Sequence, residues 1–384
     1  MPLSLQILLL AGAVLGAGYV VLIGLFSAGW SRLGRKKYSP DHSAFVSVII
    51  AARNEEHNIT ACLSALMRQS YPKEKFEVIV TDDHSEDGTA EVVQRFAAGY
   101  PNIRYLALGN GLIGKKQAIH AGIRHSSAGL IVTTDADCTM PPGWLSALVS
   151  CQIAEDAEMV AGPVAFSEEK TVFEKMQSIE LMALVASSGG ALAFGRGIMC
   201  NGANLAYTRK AYEQAGGFEK NDGKASGDDV LLMYRINRLF HGKVRFLKEE
   251  EAIVHTKAKQ DLGEFLQQRR RWASKGFGAF NRETKLTALT VYFFCCFLLL
   301  GPLIDWLSYR NGEFYLLLTG FCLILAGIKC FIDFLLLFLS ASFFKKERFL
   351  LLFLPEQFLY MFYVVLTGVT GSLGKYEWKG RQTN

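Results

Sequence analysis

Leu130-Ile131-Val132-Thr133-Thr134-Asp135-Ala136-Asp137 is a short apolar, β-branched run that ends in two carboxylates one residue apart. Leu130 to Thr134 is read as a buried strand, which puts Asp135 at its C-terminal end. Runs of the same kind precede it at Phe45 to Ala51 (FVSVIIA), Phe76 to Thr81 (FEVIVT) and Ile103 to Ala107. Segments with helical spacing lie between these strands, at Ile59 to Met67, Ala90 to Ala98 and Lys115 to Arg124. Strands alternating with helices predict an α/β domain with a largely parallel sheet. In such sheets ligands gather beyond the carboxyl ends of the strands. Arg53, Asp83 and Asp135 all fall there, so three separated segments are expected to line one cleft.

Beyond Asp137 the alternation loosens. Met159 to Phe166 is read as one strand, Thr171 to Ala186 as a helix with an apolar face, and Ser188 to Gly197 as a flexible, Gly-rich stretch. Asn201 to Tyr207 returns to strand. Gly227 to Asn237 reads as a helix with Asp228 and Asp229 in its first turn, where negative charge suits the helix dipole.

Half of the 384 residues are hydrophobic, and they are unevenly spread. Leu5 to Ser27 is an uncharged apolar run long enough to cross ~30 Å of hydrocarbon as a helix. It has no basic n-region, and Arg32, Arg35, Lys36 and Lys37 come after it, so it is read as an anchor rather than a cleaved signal. The positive-inside rule keeps those residues, and the domain after them, cytoplasmic. Three more apolar segments lie at Thr287 to Leu307, Phe314 to Leu339 and Phe349 to Thr370, the last interrupted by Pro355 and Glu356. A re-entrant or interfacial third segment would keep Lys375, Lys379 and Arg381 inside. Lys329 and Asp333 stand four apart in the second segment and can pair on one helix face. The domain plan is therefore an anchor at 1–30, a globular domain at 41–285, a membrane region of two to three segments at 286–374 and a basic tail at 375–384.

The net charge is +5, and much of the basic excess sits near membrane ends, which points to lipid headgroups rather than nucleic acid. The eight cysteines form no C-x-x-C pair and are read as small buried hydrophobes in a reducing compartment.

Several residues carry chemistry if they converge. Asp135 and Asp137 on one turn can bind Mg²⁺ or Mn²⁺ while a diphosphate supplies the other oxygens, although an isolated D-x-D is more often a solvated turn. Asp82 and Asp83 either line the cleft or only cap a helix. Lys115 can meet a phosphate or simply be solvated. Asp228 and Asp229 are either helix N-terminal acids, or one of them is a general base near an acceptor. His255 either orients a carboxylate or phosphate or is structural. Gln268-Arg269-Arg270-Arg271-Trp272 precedes the second apolar region. A membrane-surface patch accounts for its charge but not for Gln268 or Trp272. A guanidinium can hold a diphosphate in two contacts, and an indole can stack on a sugar.

At these residues the chain resembles the family 2 glycosyltransferases, from about Ala44 to Gly276. Val46 to Asn58 (VSVIIAARNEEHN) resembles the family's first strand and nucleotide-binding loop, which implies that Ala52 and Glu55 contact the donor. Val80 to Thr89 (VTDDHSEDGT) resembles the uridine-contacting loop and places that role on Asp83. Gly114-Lys115 before Ala121-Gly122-Ile123 resembles the lysine segment near the diphosphate. Asp135 and Asp137 match the D-x-D motif, with Asp137 the metal ligand. Gly227-Asp228-Asp229 resembles the element whose second acid is the base, here Asp229. Gln268, Arg271 and Trp272 match the Q-x-x-R-W motif of membrane-bound members.

The resemblance implies an α/β, Rossmann-like GT-A nucleotide-sugar domain flanked by transmembrane helices. It also implies an inverting hexosyltransferase that depends on Mg²⁺ or Mn²⁺ and takes a nucleotide-sugar donor, expected to be a UDP-sugar. The sparse membrane segments and the tail Glu377-Trp378-Lys379-Gly380-Arg381 resemble members that act once on a lipid or lipid-linked acceptor; the expected setting is a bacterial inner membrane, with the catalytic domain on the cytoplasmic side. A processive polysaccharide synthase subunit and a non-catalytic membrane scaffold are the alternatives. The intact acids Asp83, Asp135, Asp137 and Asp229 weigh against the scaffold.

Overall fold

The quoted strand is real and sits near the middle of the sheet that organises its part of the chain. The computed structural model describes residues 3–35, 37–218, 228–273, 281–310, 316–371, 376–378 and 381–383. Lys36, Gly227, Gly276, Lys375, Lys379 and Gly380, all singled out from the sequence, lie outside the described residues. The chain divides into two compact units. One comprises Leu33–Glu169, Ala191–Ala258 and Lys375–Asn384; the other comprises Met1–Arg32, Lys170–Gly190 and Lys259–Gly374.

In the first unit β1 (Val46–Ala52), β2 (Phe76–Asp82), β3 (Ile103–Ala107) and β4 (Leu130–Asp135) are parallel neighbours. β5 (Met159–Ala161), β7 (Leu205–Thr208) and β8 (Val244–Phe246) extend the sheet to seven strands in the order β3-β2-β1-β4-β7-β5-β8. β7 runs antiparallel to both β4 and β5, so the sheet is largely but not wholly parallel. β1 and β4 are almost fully buried, as expected of strands covered on both faces. Around them run α2 (Ile59–Met67), α3 (Thr89–Gly99), α4 (Lys115–Arg124), α5 (Trp144–Ala154), α7 (Arg209–Gln214) and α8 (Asp228–Leu239). A separate parallel pair joins β6 (Val164–Ser167) to β9 (Val254–Lys257), and β10 (Tyr376–Trp378) pairs with β11 (Arg381–Thr383).

Three sequence expectations change here. The run Met159 to Phe166 is two strands, not one, because Gly162-Pro163 breaks it. Pro163 has no N–H for a ladder, and its carbonyl instead accepts from Val254 N–H and Asn204 Nδ2. Asn201 to Asn204 is a turn closed by Asn204 N–H to the Asn201 carbonyl at 3.0 Å, and the strand begins only at Leu205. α5, with its first eight residues buried, was not read from the sequence; its apolar residues go all round, so no helical period marks it.

The second unit holds α1 (Leu3–Arg32), α6 (Val172–Leu192), α9 (Leu262–Ala273), α10 (Arg282–Arg310), α11 (Leu316–Phe344) and α12 (Phe353–Gly371). Four helical stretches are long and apolar enough to cross a membrane: Leu3–Arg32, Arg282–Ser308, Leu316–Phe344 and Glu347–Thr370. A 3₁₀ helix over Glu347–Leu352 leads into α12, and Pro355 and Glu356 stand just after the join. Both lie in the first turn of α12, where a proline forfeits no intrahelical hydrogen bond. The Lys329–Asp333 pair forms at 2.7 Å, with Lys329 also donating to Gln357 Oε1 at 2.5 Å and Tyr19 donating to Asp333 at 2.7 Å. Charges buried among apolar helices are thereby paired and hydrogen-bonded across α1, α11 and α12.

α6 runs to Leu192, through part of the stretch expected to be flexible, because its glycines serve packing. A Cβ on Gly29 of α1 would stand 2.0 Å from the Gly190 carbonyl oxygen, and one on Gly190 would stand 2.2 Å from the Phe26 carbonyl oxygen. Small residues here let two helix backbones touch. Gly29→Ala is expected to lower stability by about 1–3 kcal/mol, the cost of overpacking a fixed contact. Thermal unfolding in detergent checks this, with Gly24→Ala, where a Cβ meets nothing within 4 Å, as the control.

Candidate active site

Pairing register builds the cleft edge. Ala52 stands beside Asp82, and Ala51 beside Asp135, so the ends of β1, β2 and β4 are level. One residue further, Asp83 N–H donates to the Ala52 carbonyl at 2.8 Å. The buried Asp83 carboxylate accepts from Gly114 N–H at 3.0 Å. Gly114 has φ +98°, which only glycine adopts without strain, and it lets the chain turn directly into α4. Lys115 opens that helix and forms an ion pair with Asp135. Ala52, Asp83, Lys115 and Asp135 thus meet at one edge.

Neighbouring residues divide into framework and cleft. Asp82 accepts from Ser85 N–H at 3.2 Å and from Tyr105 O–H at 3.2 Å, so it holds the loop, whereas Asp83 reaches α4. Arg53, read as a cleft residue, is 7 % exposed and braces the same loop by donating to the carbonyls of Asp83 and His84 at 2.9 and 2.7 Å. Glu55 is anchored through its N–H to Thr89 Oγ1 at 2.8 Å, and its carboxylate accepts from Asn58 Nδ2 at 2.8 Å.

Asp137 lies just past the end of β4 and is open to solvent at its surface, but cleft walls surround much of it. This partial desolvation, and after it the charges of Asp135 and Glu55, pushes its carboxyl above the ordinary aspartate value, against the opposing pull of Lys115. Thr256 Oγ1 on β9 stands 3.5 Å from Asp137 Oδ2. The turn is pinned to β9 by Thr139 and His255, whose backbones exchange two hydrogen bonds of 2.8 Å. His255 therefore supports the site through its main chain, a contact that no sequence spacing announces.

Among the described residues, no three His, Cys, Asp or Glu side chains converge as a metal cage. Asp135 and Asp137 are the carboxylates at this edge that fit a divalent cation, which would take its other oxygens from outside the protein. The crowding of negative charge on Asp137 is what such a cation would relieve. All eight cysteines are free, and five are buried, in keeping with their reading as small core residues.

Asp229 reaches the same strand from far along the chain. Its Oδ2 accepts from Gly202 N–H at 2.9 Å, and the Gly202 carbonyl accepts from Thr133 Oγ1 on β4 at 2.9 Å. Thr133 is two residues before Asp135. The base expected from sequence is therefore tied, through one glycine, to the strand that ends in the D-x-D pair. Asp228 and Asp229 also occupy the first turn of α8.

Gln268, Arg271 and Trp272 lie on α9, three and four residues apart and so on one helix face. Arg271 and Trp272 are half-buried there. Arg269, which the sequence groups with its neighbours, has a separate task. Its side chain is 3 % exposed, pairs with Glu180 of α6 through Nε at 2.9 Å, and lies 4.4 and 4.3 Å from the ring centroids of Phe265 and Trp272. Tyr363 of α12 donates to the same carboxylate at 2.5 Å. Glu180 and Tyr363 were not singled out in the sequence; the one detectable signal was Glu180, an acid within an apolar helix. Arg269→Met is expected to cost about 3–5 kcal/mol, since it strands a buried carboxylate. Thermal unfolding of Arg269→Met beside Arg269→Met/Glu180→Met checks this, and the double variant is expected to regain most of the loss.

Residues 47–216 match the sequence model of Glycosyl transferase family 2. Glycosyltransferase AglE of Haloferax volcanii is 39% identical over 123 residues, covering 32% of this chain and 40% of that protein. An undecaprenyl-phosphate 4-deoxy-4-formamido-L-arabinose transferase of Yersinia enterocolitica is 32% identical over 152 residues, covering 38% of this chain and 44% of that one. The chain thus spans less than half the length of either relative. Among solved structures, the mannosyltransferase PcManGT from Pyrobaculum calidifontis, in complex with GDP-Man and Mn²⁺, superposes with a TM-score of 0.58 at 18% identity, over 95% of this chain and 99% of that one. The parallel core and the match over residues 47–216 make the sheet-bearing part of this chain similar to family 2 glycosyltransferases, on a GT-A fold.

Proposed function

We propose that the chain is an inverting glycosyltransferase that moves a sugar from a nucleotide-sugar donor, a UDP-sugar by resemblance, to a lipid or lipid-linked acceptor in a membrane. The observation that most supports this reading is the meeting of Asp83, Lys115 and Asp135 at the edge of one sheet, with Asp137 two residues further on and Asp229 tied through Gly202 to Thr133 of the same strand. Four membrane-length apolar helices in the same chain favour an acceptor that lives in the bilayer. The printed name of the Yersinia relative refers to a lipid phosphate, which supports the same class. The basic residues after α1 favour a sheet unit on the cytoplasmic side.

In this mechanism the loop of Ala52, Glu55 and Asp83 holds the nucleoside, and Lys115 turns from Asp135 to the donor phosphates. Asp137, with Asp135, would hold Mg²⁺ or Mn²⁺, which supplies positive charge to the departing diphosphate. Arg271 adds a guanidinium to that diphosphate, and Trp272 offers an apolar face to the sugar or acceptor. Asp229 takes the proton from the acceptor hydroxyl. The acceptor oxygen then bonds to the anomeric carbon from the face opposite the leaving group, and the bond to the nucleoside diphosphate breaks with its electron pair. Charge at the anomeric carbon resembles an oxocarbenium ion at the crest.

The test is nucleoside diphosphate release by purified full-length protein across a panel of UDP- and GDP-sugars, with and without extracted membrane lipid. Lipid-stimulated release and one labelled sugar per lipid are expected. Long glycan chains would move the reading to a polysaccharide synthase. No release and no nucleotide binding across the panel would overturn it.

A further inference from the structure

Thr133 on β4 is 3 % exposed, and its Oγ1 donates to the Gly202 carbonyl at 2.9 Å. Side chains alternate along a strand, so Thr133 and Asp135 project from the same face of the sheet. Gly202 uses its N–H to hold Asp229 Oδ2 at 2.9 Å. Among the described residues this is the one hydrogen bond made to the Asp229 side chain, so the turn that carries Gly202 sets where that carboxylate stands.

The turn is fixed at its far end by Asn204, whose N–H closes it onto the Asn201 carbonyl at 3.0 Å. The Asn204 side chain is fully buried. Its Nδ2 donates to the carbonyls of Pro163 and Ala252 at 2.7 Å each, and its Oδ1 accepts from Trp144 Nε1 at 3.0 Å. Gly202 has no side chain to anchor it, and the Thr133 hydroxyl ties it to the sheet. The glycine also sets the spacing: a Cβ at this position would stand 3.3 Å from Asp229 Oδ2 and 3.5 Å from Asp229 Cβ.

We propose that Thr133 is a positioning residue for the base: acting through Gly202, its hydroxyl sets where the Asp229 carboxylate meets the acceptor hydroxyl. The proposal rests on the reading of Asp229 as the general base. Thr134 supplies the contrast. It is 1 % exposed, projects from the opposite face, and its Oγ1 has no hydrogen-bond partner among the described residues. Valine has nearly the shape of threonine without the hydroxyl. The same substitution at these two neighbours therefore breaks a buried hydrogen bond at one and none at the other.

The test is a mutant cycle on the full-length protein, reading steady-state transfer, donor binding and Tm. Thr133→Val is expected to lower kcat about 10–100-fold, the scale of a small misplacement of a reacting group, with donor affinity retained. Thr133→Ser, which keeps the hydroxyl, is expected to restore most of that loss, and Thr134→Val to leave kcat as it is. In the Asp229→Asn background, Thr133→Val is expected to change kcat by less than about twofold, because a residue that acts only through Asp229 has nothing left to position. A structural role alone predicts a lowered Tm and the same fractional loss in both backgrounds. That equal loss, wild-type kcat in Thr133→Val, or a loss in Thr134→Val as large as in Thr133→Val would overturn the proposal. If Thr133→Val does not fold, Gly202→Ala, which keeps the tie to β4 but crowds Asp229, goes through the same cycle with the same expectation and decides. Wild-type turnover in Asp229→Asn removes the reading of Asp229 as base. Its loss there beside an unaffected Thr133→Val removes this inference alone. No transfer by the unmodified protein across the donor panel removes the transferase reading and this inference with it.

Discussion

Asp229→Asn is expected to lower kcat for sugar transfer by about 10²–10⁴-fold, the usual worth of a positioned general base. The geometry makes this a clean substitution. Asp229 uses one oxygen to accept from Gly202 N–H at 2.9 Å, and an asparagine carbonyl can accept the same bond. The start of α8 and its link through Gly202 to Thr133 on β4 should therefore survive. The variant loses the oxygen that takes the acceptor's proton. Donor affinity should be retained, so the loss should fall on kcat rather than KM, the signature of a group that acts only in the transition state. Steady-state transfer and direct donor binding, measured on one preparation, check both halves. Wild-type turnover in the variant would take Asp229 out of the chemistry. Weakened donor binding would make it a structural acid at the start of a helix.

The parallel core was legible because its strands are continuous apolar runs and its turns carry the acids. Leu130 to Asp135 illustrates this: burial on both faces selects β-branched and apolar residues, and the acid stands at the strand's end, where the core stops. Illegible parts have physical reasons. Gly162-Pro163 divides two strands that belong to different sheets, and only the path of the chain shows which partner each takes. α5 is buried along most of its length, so it lacks the polar face that marks a helix. His255 supports the D-x-D turn with backbone atoms, which carry no residue signature.

Helix geometry divides the arginine run that sequence joins. Arg269, Arg270 and Arg271 are equivalent as composition, but successive helical residues turn by about 100°. That rotation sends Arg269 inward to Glu180, where its guanidinium also meets Gln268 and Trp272, and turns Arg271 to another side of the helix. Arg269 thus settles the local packing of α6, α9 and α12.

Asp137→Asn is the second substitution with a large expected effect, a loss of about 10²–10³-fold in metal-dependent turnover, the scale of one electrostatic contact to developing charge. Turnover is not its only readout. Asp137 is pushed toward its neutral form by burial and by Asp135 and Glu55, so in metal-free protein its charge is a local liability. Removing that charge should leave metal-free thermal stability equal or higher, while the rise in Tm produced by Mn²⁺ with a nucleoside diphosphate should disappear. The same shift sets the sign of the pH dependence. A divalent cation needs the ionised carboxylate, and a raised pKa means protonation starts at a higher pH than for an ordinary aspartate. The Mn²⁺-induced rise in Tm should therefore shrink as pH falls, beginning above the range where an exposed aspartate would respond. Tm measured with and without Mn²⁺ across mildly acidic pH, for wild type and Asp137→Asn, gives all three results. An unchanged Mn²⁺ response in the variant would move the metal away from the D-x-D turn.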